Sequence, residues 1–426
     1  MSKRALSSVD GPVKTRGDEA FGFVLAAAMR AQSEESEDDR DGDDEDDEDG
    51  GGEGGSDDEG EEGRGAGEGF DRLTHGFHAY PARMHPAVAR VLLEQLHPGR
   101  RAEVLDPFCG SGTVAVEAMV AGWRSMSGDL DPLALRLARV KTDRRDAKSR
   151  ARFLSTLEAV AAASTRRVRQ RVDVRAALSA EERSWYEVHV LKELAGLLEE
   201  IRAVADERDR AALEMVFSAI VVKFSRQRSE TAERASNKRI RKGLVTEFFL
   251  RKGRELAERW AALEQALPAK GSRPRFIQSD ARRLPQTLSG EFRCDLVLCS
   301  PPYGGTYDYA RHHARRHAWL GIRPRQLRAQ EIGARRDLSR GEGAAARWDR
   351  QMLETLEALH TLMRDDAVAI FLVGDAEVGG RRVEADRQLE RLAPKAELSF
   401  LAAASSPRPD WRGGRERREH LVALRR

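Results

Sequence analysis

The sequence predicts a doubly wound α/β fold: a mainly parallel sheet interrupted by a long helical insertion. Three observations carry this. Short apolar runs alternate with amphipathic stretches of helix length from Arg101 to Thr142, and again from Pro274 onward. Glycines or acids stand where each run gives way to the next helix. Between about Asp143 and Ala269 the alternation stops and the chain reads as helix alone, rich in alanine and charge.

Residues 1–70 read as a disordered arm. From Ser33 to Gly63 there are nineteen acids against the single Arg40, a block that repels itself and buries no core. The stretch "AFGFVLAAAMRA" before it is too short to span a bilayer, and Asp18 and Glu19 remove the basic flank of a signal peptide. A short helix and a cytoplasmic protein are expected. Order begins near "RLTHGFHAYPARMHPAVARVLLEQLHP", whose second half, His85 to Leu96, has helical spacing. "RAEVLDPFCGSGTVAVEAMVAGW" reads as strand, glycine turn and helix, and "RSMSGDLDPLALRLARVKT" repeats the pattern, which makes a parallel βαβ unit. Residues 71–142 form this first part. Residues 143–270 form the helical insertion, too long for a plain connection and therefore expected to be a subdomain. Residues 271–426 return to strands with "PRFIQSDARRLP", "CDLVLCSPPY" and "AVAIFLVGDAEVGG", with one helix over "ARWDRQMLETLEALHTLMRDD". "AELSFLAAASS" and "EHLVALRR" have no helix signal between them, so an antiparallel pair at one edge is expected.

"DPFCGSGT" lies between a strand and a helix start. Gly110 and Gly112 permit a sharp turn and a close approach of ligand to main chain, and the free N–H groups of the following helix point at that ligand. The Walker lysine is absent and the dinucleotide spacing is broken, so this is no phosphate loop. Asp106 and Phe108 accompany the glycines. Asp129 ends the next strand, 23 residues after Asp106, where an acid in a Rossmann-like fold accepts both hydroxyls of a ribose. Asp131 is expected to cap the helix after Pro132. Asp280 ends the third strand and is expected to accept from an adenine amino group. An adenosine site without a phosphate partner fits S-adenosylmethionine.

"DPFCGSGT" followed by "SPPYGGTYDY" resembles the amino-methyltransferases, which methylate exocyclic amines of nucleic-acid bases with S-adenosylmethionine. "FHAYPARMHP" is similar to the family segment that holds the methionine end of the cofactor, which implies that role for Tyr80 and Pro81. "FSAIVVKFSRQRSETAER", "RRHAWLGI" and "ADRQLERLA" look like a bacterial subgroup of DNA methylases, and the resemblance spans roughly residues 73 to 426. It implies a class I methyltransferase fold: a seven-stranded, mainly parallel sheet with an antiparallel C-terminal strand. It also implies a site-specific DNA methyltransferase.

The motif has a chemical reason. An exocyclic amine on cytosine or adenine is a poor nucleophile because its lone pair is delocalised into the ring. Ser300 Oγ and the Pro301 carbonyl can accept its two hydrogens and localise that pair, Pro301 and Pro302 fix the backbone, and Tyr303 offers a face to a flipped base. No metal is required. Cys109, Cys294 and Cys299 lack disulfide or zinc spacing and the position of a carbon-5 nucleophile, and read as buried small hydrophobes. Tyr307 and Tyr309 either line the base pocket or pack.

In the family, Ser at the start of the motif leans toward cytosine N4, and Asp or Asn toward adenine N6 or RNA guanine N2. DNA is the expected partner, RNA less so, and a restriction endonuclease partner is compatible with the resemblance. The net charge of +2 conceals a remainder of roughly +20 once the acidic block is set aside, the balance of a chain that handles a polyanion. "KFSRQRSETAERASNKRIRKG" and "YARHHARRHAWLGIRPRQLR" are candidate DNA-facing elements. Charge segregation raises the idea that the acidic arm mimics DNA, with solubilising and partner-binding roles equally open. A catalytically silent nucleic-acid binder of the same fold is the competing class, and the intact motifs speak against it.

Overall fold

The computed structural model describes residues 7–8, 13–41, 72–97, 99, 102–227, 240–339, 341, 343–408 and 417–426. Strands β1 (Ser7–Ser8) and β2 (Lys14–Gly17) and helix α1 (Glu19–Asp41) come first. Helix α2 (Pro86–Gln95) leads into the alternation of β3 (Glu103–Asp106), α3 (Thr113–Val120), β4 (Arg124–Asp129) and α4 (Pro132–Lys141). Helices α5 (Ala147–Gln170), α6 (Ala180–Ser184), α7 (Val188–Arg202), α8 (Glu207–Val221) and α9 (Leu244–Ala266) make the insertion. The alternation resumes with β5 (Arg275–Gln278), α10 (Leu284–Thr287) and β6 (Cys294–Cys299). Short helices α11 (Tyr309–His312), α12 (Ala314–Leu320), α13 (Arg325–Gln330) and α14 (Arg335–Leu338) precede α15 (Ala344–Leu362) and β7 (Met363–Gly374). The hairpin β8 (Ala376–Val378) and β9 (Arg381–Val383), helix α16 (Ala385–Leu392), and strands β10 (Ser399–Arg408) and β11 (Arg417–Arg425) complete the chain.

The main sheet has the order β1-β2-β10-β11-β7-β6-β3-β4-β5. Strands β5, β4, β3, β6 and β7 run parallel, β11 is antiparallel to β7, and β10 is antiparallel to β11. These seven are the expected sheet. Residues alternate between its faces, as a pleated strand requires. Val104, Leu296, Leu298, Ile370 and Leu372 face a layer formed by α1, α2 and α3. Their neighbours Leu105, Val297, Cys299, Ala369 and Phe371 face α10, α15 and α16. Both faces are covered, and the central strands β6 and β7 carry the long apolar runs LVLC and AVAIFLV.

Two strands beyond those seven come from the segment read as a disordered arm, and this corrects that reading. Lys14 to Gly17 pair with Ser405 to Ala402 of β10, and α1 buries Leu25, Ala26, Ala28 and Met29 in the layer that holds α2. Buried Arg16 pairs with Asp386 at 2.9 Å and Glu390 at 2.9 Å. Gly17 has φ of 95°, and a Cβ there would run into the Leu401 carbonyl. The partners lie some 370 residues away in sequence, so local pattern could not reveal them. The edge of the C-terminal pair is thereby covered, which removes a row of unpaired backbone groups. The stretch "AFGFVLAAAMRA" is inside α1, and no described helix is long and apolar enough to cross a membrane. Most of the acidic tract, residues 42–63, lies outside the described residues, as does the DNA-mimic idea built on it.

The insertion does not stand apart as a subdomain. Its apolar cluster runs continuously into Leu133, Leu137 and Val140 of α4, Phe77, and Trp319 of α12. Trp260 Nε1 donates to the Val140 carbonyl at 2.8 Å. A helical hairpin exposes an apolar stripe that needs a partner, and α4 supplies it. Residues 228–239, the middle of the first candidate DNA-facing stretch, lie outside the described residues.

Candidate active site

The parallel strands end at one side of the sheet, and a cleft of roughly 840 Å³, partly open to solvent, lies beyond their carboxyl ends. This is where open α/β sheets bind ligands. Asp106 arrives from β3, Asp129 from β4, Ser279 and Asp280 from just after β5, and Ser300 and Pro302 from just after β6. Tyr80, Phe108 and Gly110 also line it, so residues from "FHAYPARMHP", "DPFCGSGT" and "SPPY" meet in one cleft.

Asp129 Oδ2 accepts from the Gly110 amide at 2.9 Å and Oδ1 from the Asp131 amide at 2.8 Å. Asp106 Oδ1 accepts from the Phe108 amide at 3.1 Å. These few donors do not offset desolvation, which pushes Asp106 up to about 8 and Asp129 up to about 7. Hydroxyl donors from a ribose would supply what is missing. The Tyr80 ring covers the glycine turn, with Cε1 3.1 Å from where a Cβ on Gly110 would stand. Thr113 Oγ1, in the first turn of α3, is buried in the cleft wall without a hydrogen-bond partner. A cradle without side chain, an orphaned hydroxyl and two donor-poor carboxylates fit a bound S-adenosylmethionine.

Other expected residues do something different. Pro81 and Gly112 do not line the cleft. Gly112, with φ of 90°, lets α3 approach α4: a Cβ there would lie 2.8 Å from that of Ala138. Asp280 lines the cleft, but Arg282 already holds both its oxygens, through Nε at 2.9 Å and Nη2 at 2.6 Å. Pro301 is buried and is not among the residues lining the cleft.

Tyr303 does not face the cleft either. Its ring packs on Gly374, with Cε2 2.6 Å from where a Cβ would stand, and the Arg408 guanidinium sits 5.2 Å from the ring centre. Its hydroxyl donates to Glu419 Oε1 at 2.7 Å. Burial and the Glu419 charge push the phenol well above its ordinary value. A buried phenol needs a partner, and Glu419 of β11 offers one. Tyr309 does line the cleft, beside Tyr80 and Phe108, and its amide donates to Glu331 Oε1 at 2.6 Å.

Asp131 caps α4, accepting from the Leu133 amide at 2.9 Å. Sequence gave no hint of its second role. His313 Nδ1 stands 2.8 Å from Oδ2 and His317 Nε2 2.9 Å from Oδ1, all three residues buried. Burial by itself would raise Asp131, yet the two imidazoles hold it well below the usual carboxylate range. The loop after "SPPY" is thus clamped to the end of the cofactor strand, and the His313 ring lies 4.8 Å from that of Tyr80. Ligand atoms of these three residues lie within 4.8 Å of one another, close enough for a metal. Hydrogen bonding suits them better: it leaves His313 Nε2 and His317 Nδ1 as bare lone pairs, whereas ligation would orphan two buried N–H donors.

Arg83, Thr113, Gln330 and Glu331 line the cleft without having been singled out by sequence. Arg83 and Thr113 sit inside motifs that were; Gln330 ends the short helix α13 and Glu331 follows it. All three cysteines are free and buried, and burial pushes each thiol up, so none is poised as a nucleophile.

The family model described as "RMKL-like, methyltransferase domain" matches residues 77–187, which take in Tyr80, the glycine turn and Asp129. Over 89 residues the chain is 36% identical to the Type II methyltransferase M.MvaI of Kocuria varians. That match takes in 20% of this chain and 19% of that protein, so the chain spans about a fifth of the length of the curated relative. Among solved structures, TrmN from Thermus thermophilus overlaps 80% of this chain and 49% of its own, at 15% identity and a TM-score of 0.33. The rRNA methyltransferase aviRa from Streptomyces viridochromogenes overlaps 82% and 88%, at 14% and 0.31. Overlaps that loose add nothing about substrate. The matched residues and the cleft built around them identify the chain as carrying an S-adenosylmethionine-dependent methyltransferase domain.

Proposed function

We propose that this chain transfers a methyl group from S-adenosylmethionine to an exocyclic amino nitrogen of a nucleic-acid base, and that the substrate is cytosine N4 in DNA. One observation carries the reading: Ser300 and Pro302 line the same cleft as Asp106, Phe108, Gly110 and Asp129. Ser300 and the cofactor residues are therefore within one ligand's reach. The cofactor supplies an electrophilic methyl; the protein's share is alignment and desolvation. Ser300 Oγ accepts one amino hydrogen and the Pro301 carbonyl the other, which localises the nitrogen lone pair toward the methyl. Tyr309 takes the stacking role expected of Tyr303, since it lines the cleft.

DNA is preferred over RNA on two grounds, the Ser at the head of the motif and the likeness to a Type II methyltransferase. Leu327 and Gln330 of α13 line the cleft, and Arg325 and Arg328 of the same helix, with Arg323 before it, are exposed at its rim. They suit phosphate contacts. His313, Arg316, His317 and Trp319 of the same basic stretch are buried and serve the fold instead.

A labelled-methyl assay with separate pools of unmethylated genomic DNA and RNA, digested to nucleosides and identified by mass, tests this, with Ser300→Ala as control. N4-methylcytosine in DNA is the expected product. N6-methyladenine would change the base, label confined to RNA would overturn the DNA assignment, and no label despite measured cofactor binding would leave a silent binder.

A further inference from the structure

We infer that His313 is a positioning residue for the cofactor: it holds Tyr80 over the glycine turn and ties that seat to the loop that follows Ser300. The inference rests on the cofactor seat and not on which base receives the methyl group. Its basis is a closed circuit of contacts. Asp129 Oδ2 accepts from the Gly110 amide at 2.9 Å, and Oδ1 from the Asp131 amide at 2.8 Å. Asp131 Oδ2 stands 2.8 Å from His313 Nδ1. The His313 ring lies 4.8 Å from the Tyr80 ring, tilted by 53°. Tyr80 Cε1 then returns to Gly110, 3.1 Å from where a Cβ would stand. Gly110, Asp129, Asp131 and Tyr80 all line the cleft, and buried His313 joins the last two from behind.

Each link constrains the next. The Asp131 carboxylate is held at both ends, because Oδ1 meets His317 Nε2 at 2.9 Å while Oδ2 meets His313. A carboxylate accepts only, so His313 Nδ1 carries the proton, and that bond fixes the plane of the imidazole. A ring of fixed tilt at this distance is a favourable aromatic partner, and it selects the Tyr80 position that covers Gly110. Ordering a side chain costs conformational entropy. A residue already in place before the ligand arrives spares the ligand that cost. His317 anchors the same carboxylate, but among the described residues no ring contact joins it to Tyr80.

The circuit also joins two parts of the site. His313 sits between α11 and α12, and its amide donates to the Tyr309 carbonyl at 3.0 Å. Tyr309 lines the cleft, and Glu331 holds its amide. The turn that carries Tyr309 is therefore docked through the same imidazole that holds Tyr80. A cofactor that favours Tyr80 over Gly110 favours the docked turn as well, and the coupling is equal in both directions. Cofactor binding thus orders residues 307–313 before any base arrives.

The test uses the full chain, S-adenosylmethionine and no nucleic acid. His313→Asn keeps an N–H for Asp131 and removes the ring; in calorimetry it should weaken cofactor binding about tenfold, the scale of one aromatic pair. His317→Ala should lower the melting temperature and leave the affinity within about twofold of wild type. Tyr80→Leu should weaken binding too, and the double variant Tyr80→Leu with His313→Asn should be no worse than Tyr80→Leu alone. In hydrogen exchange followed by mass, saturating cofactor should slow residues 307–313 several-fold in wild type and not in His313→Asn. Four results would overturn the inference. These are wild-type affinity in His313→Asn, an equal loss in His317→Ala, losses that multiply in the double variant, and exchange that cofactor slows alike in wild type and His313→Asn or in neither. None of them touches the proposed function. Conversely, a chain that behaves as expected here and methylates no polymer would sink that function and leave His313 in its role.

Discussion

Carboxylates in two regions of this protein have opposite fates. On the cleft floor, Asp106 and Asp129 have few donors, and desolvation pushes them up to about 8 and about 7. At the joints of the scaffold, Asp131 and Asp375 are buried too, but their donors include imidazole or guanidinium groups and not backbone amides alone. Asp131 has the Leu133 amide, His313 and His317; Asp375 has His420 at 3.0 Å, Arg382 at 2.8 Å and the Ala385 amide at 3.3 Å. Burial would raise Asp375 too, yet His420 and Arg382 bring it down to about 2. The difference lies in the kind of partner: backbone amides on the cleft floor, imidazole and guanidinium groups at the joints. Where the fold supplies them, an acid is a structural joint, and where it withholds them, the acid awaits a ligand.

The strongest way to break the contrast is at a joint. Asp131→Ala should cost about 3–5 kcal/mol in denaturant unfolding, because it strips a helix cap and leaves two buried imidazoles without their anion. Asp106→Asn should do the reverse. An acid raised by folding contributes stability that is complete below its unfolded value, near 3.8, and is lost as pH rises through its folded value, about 8. The variant should match wild type near pH 4 and gain on it toward pH 8, by on the order of 3 kcal/mol, while binding S-adenosylmethionine more weakly in calorimetry. Equal pH dependence in the two proteins would refute the donor-poor floor. Next in size, Gly17→Ala should cost about 2 kcal/mol through its left-handed backbone and the Leu401 carbonyl, if the N-terminal strand belongs to the sheet. The smallest effect is expected at the rim. Arg325→Ala or Arg328→Ala should leave melting unchanged and each reduce the slope of log affinity against log salt by about 1 in DNA binding.

Sequence made part of this legible for a simple reason. "DPFCGSGT", Asp129 and "SPPY" are local: each sits at a strand end, and a doubly wound topology sends all such ends to one side. Asp131 as a helix cap was legible in the same way, from Pro132 beside it. Tyr303 was misplaced because a ring's direction depends on what surrounds it, here Gly374, Arg408 and Glu419, each over 70 residues distant. Residues 13–33 were lost in the acidic arm because charge composition averages over a window, while pairing with β10 is specific to four residues.

By itself, the sequence determined the order of strands and helices, the parallel core, the glycine turn and the motifs at its strand ends. Those follow from periodicity and backbone sterics, which act over a few residues. Tertiary structure alone decided which acids were left short of donors, which tyrosines lined the cleft, and that α1 would reach Glu419 through Gln32. Such choices depend on burial and on partners brought from distant parts of the chain, and no local pattern encodes them.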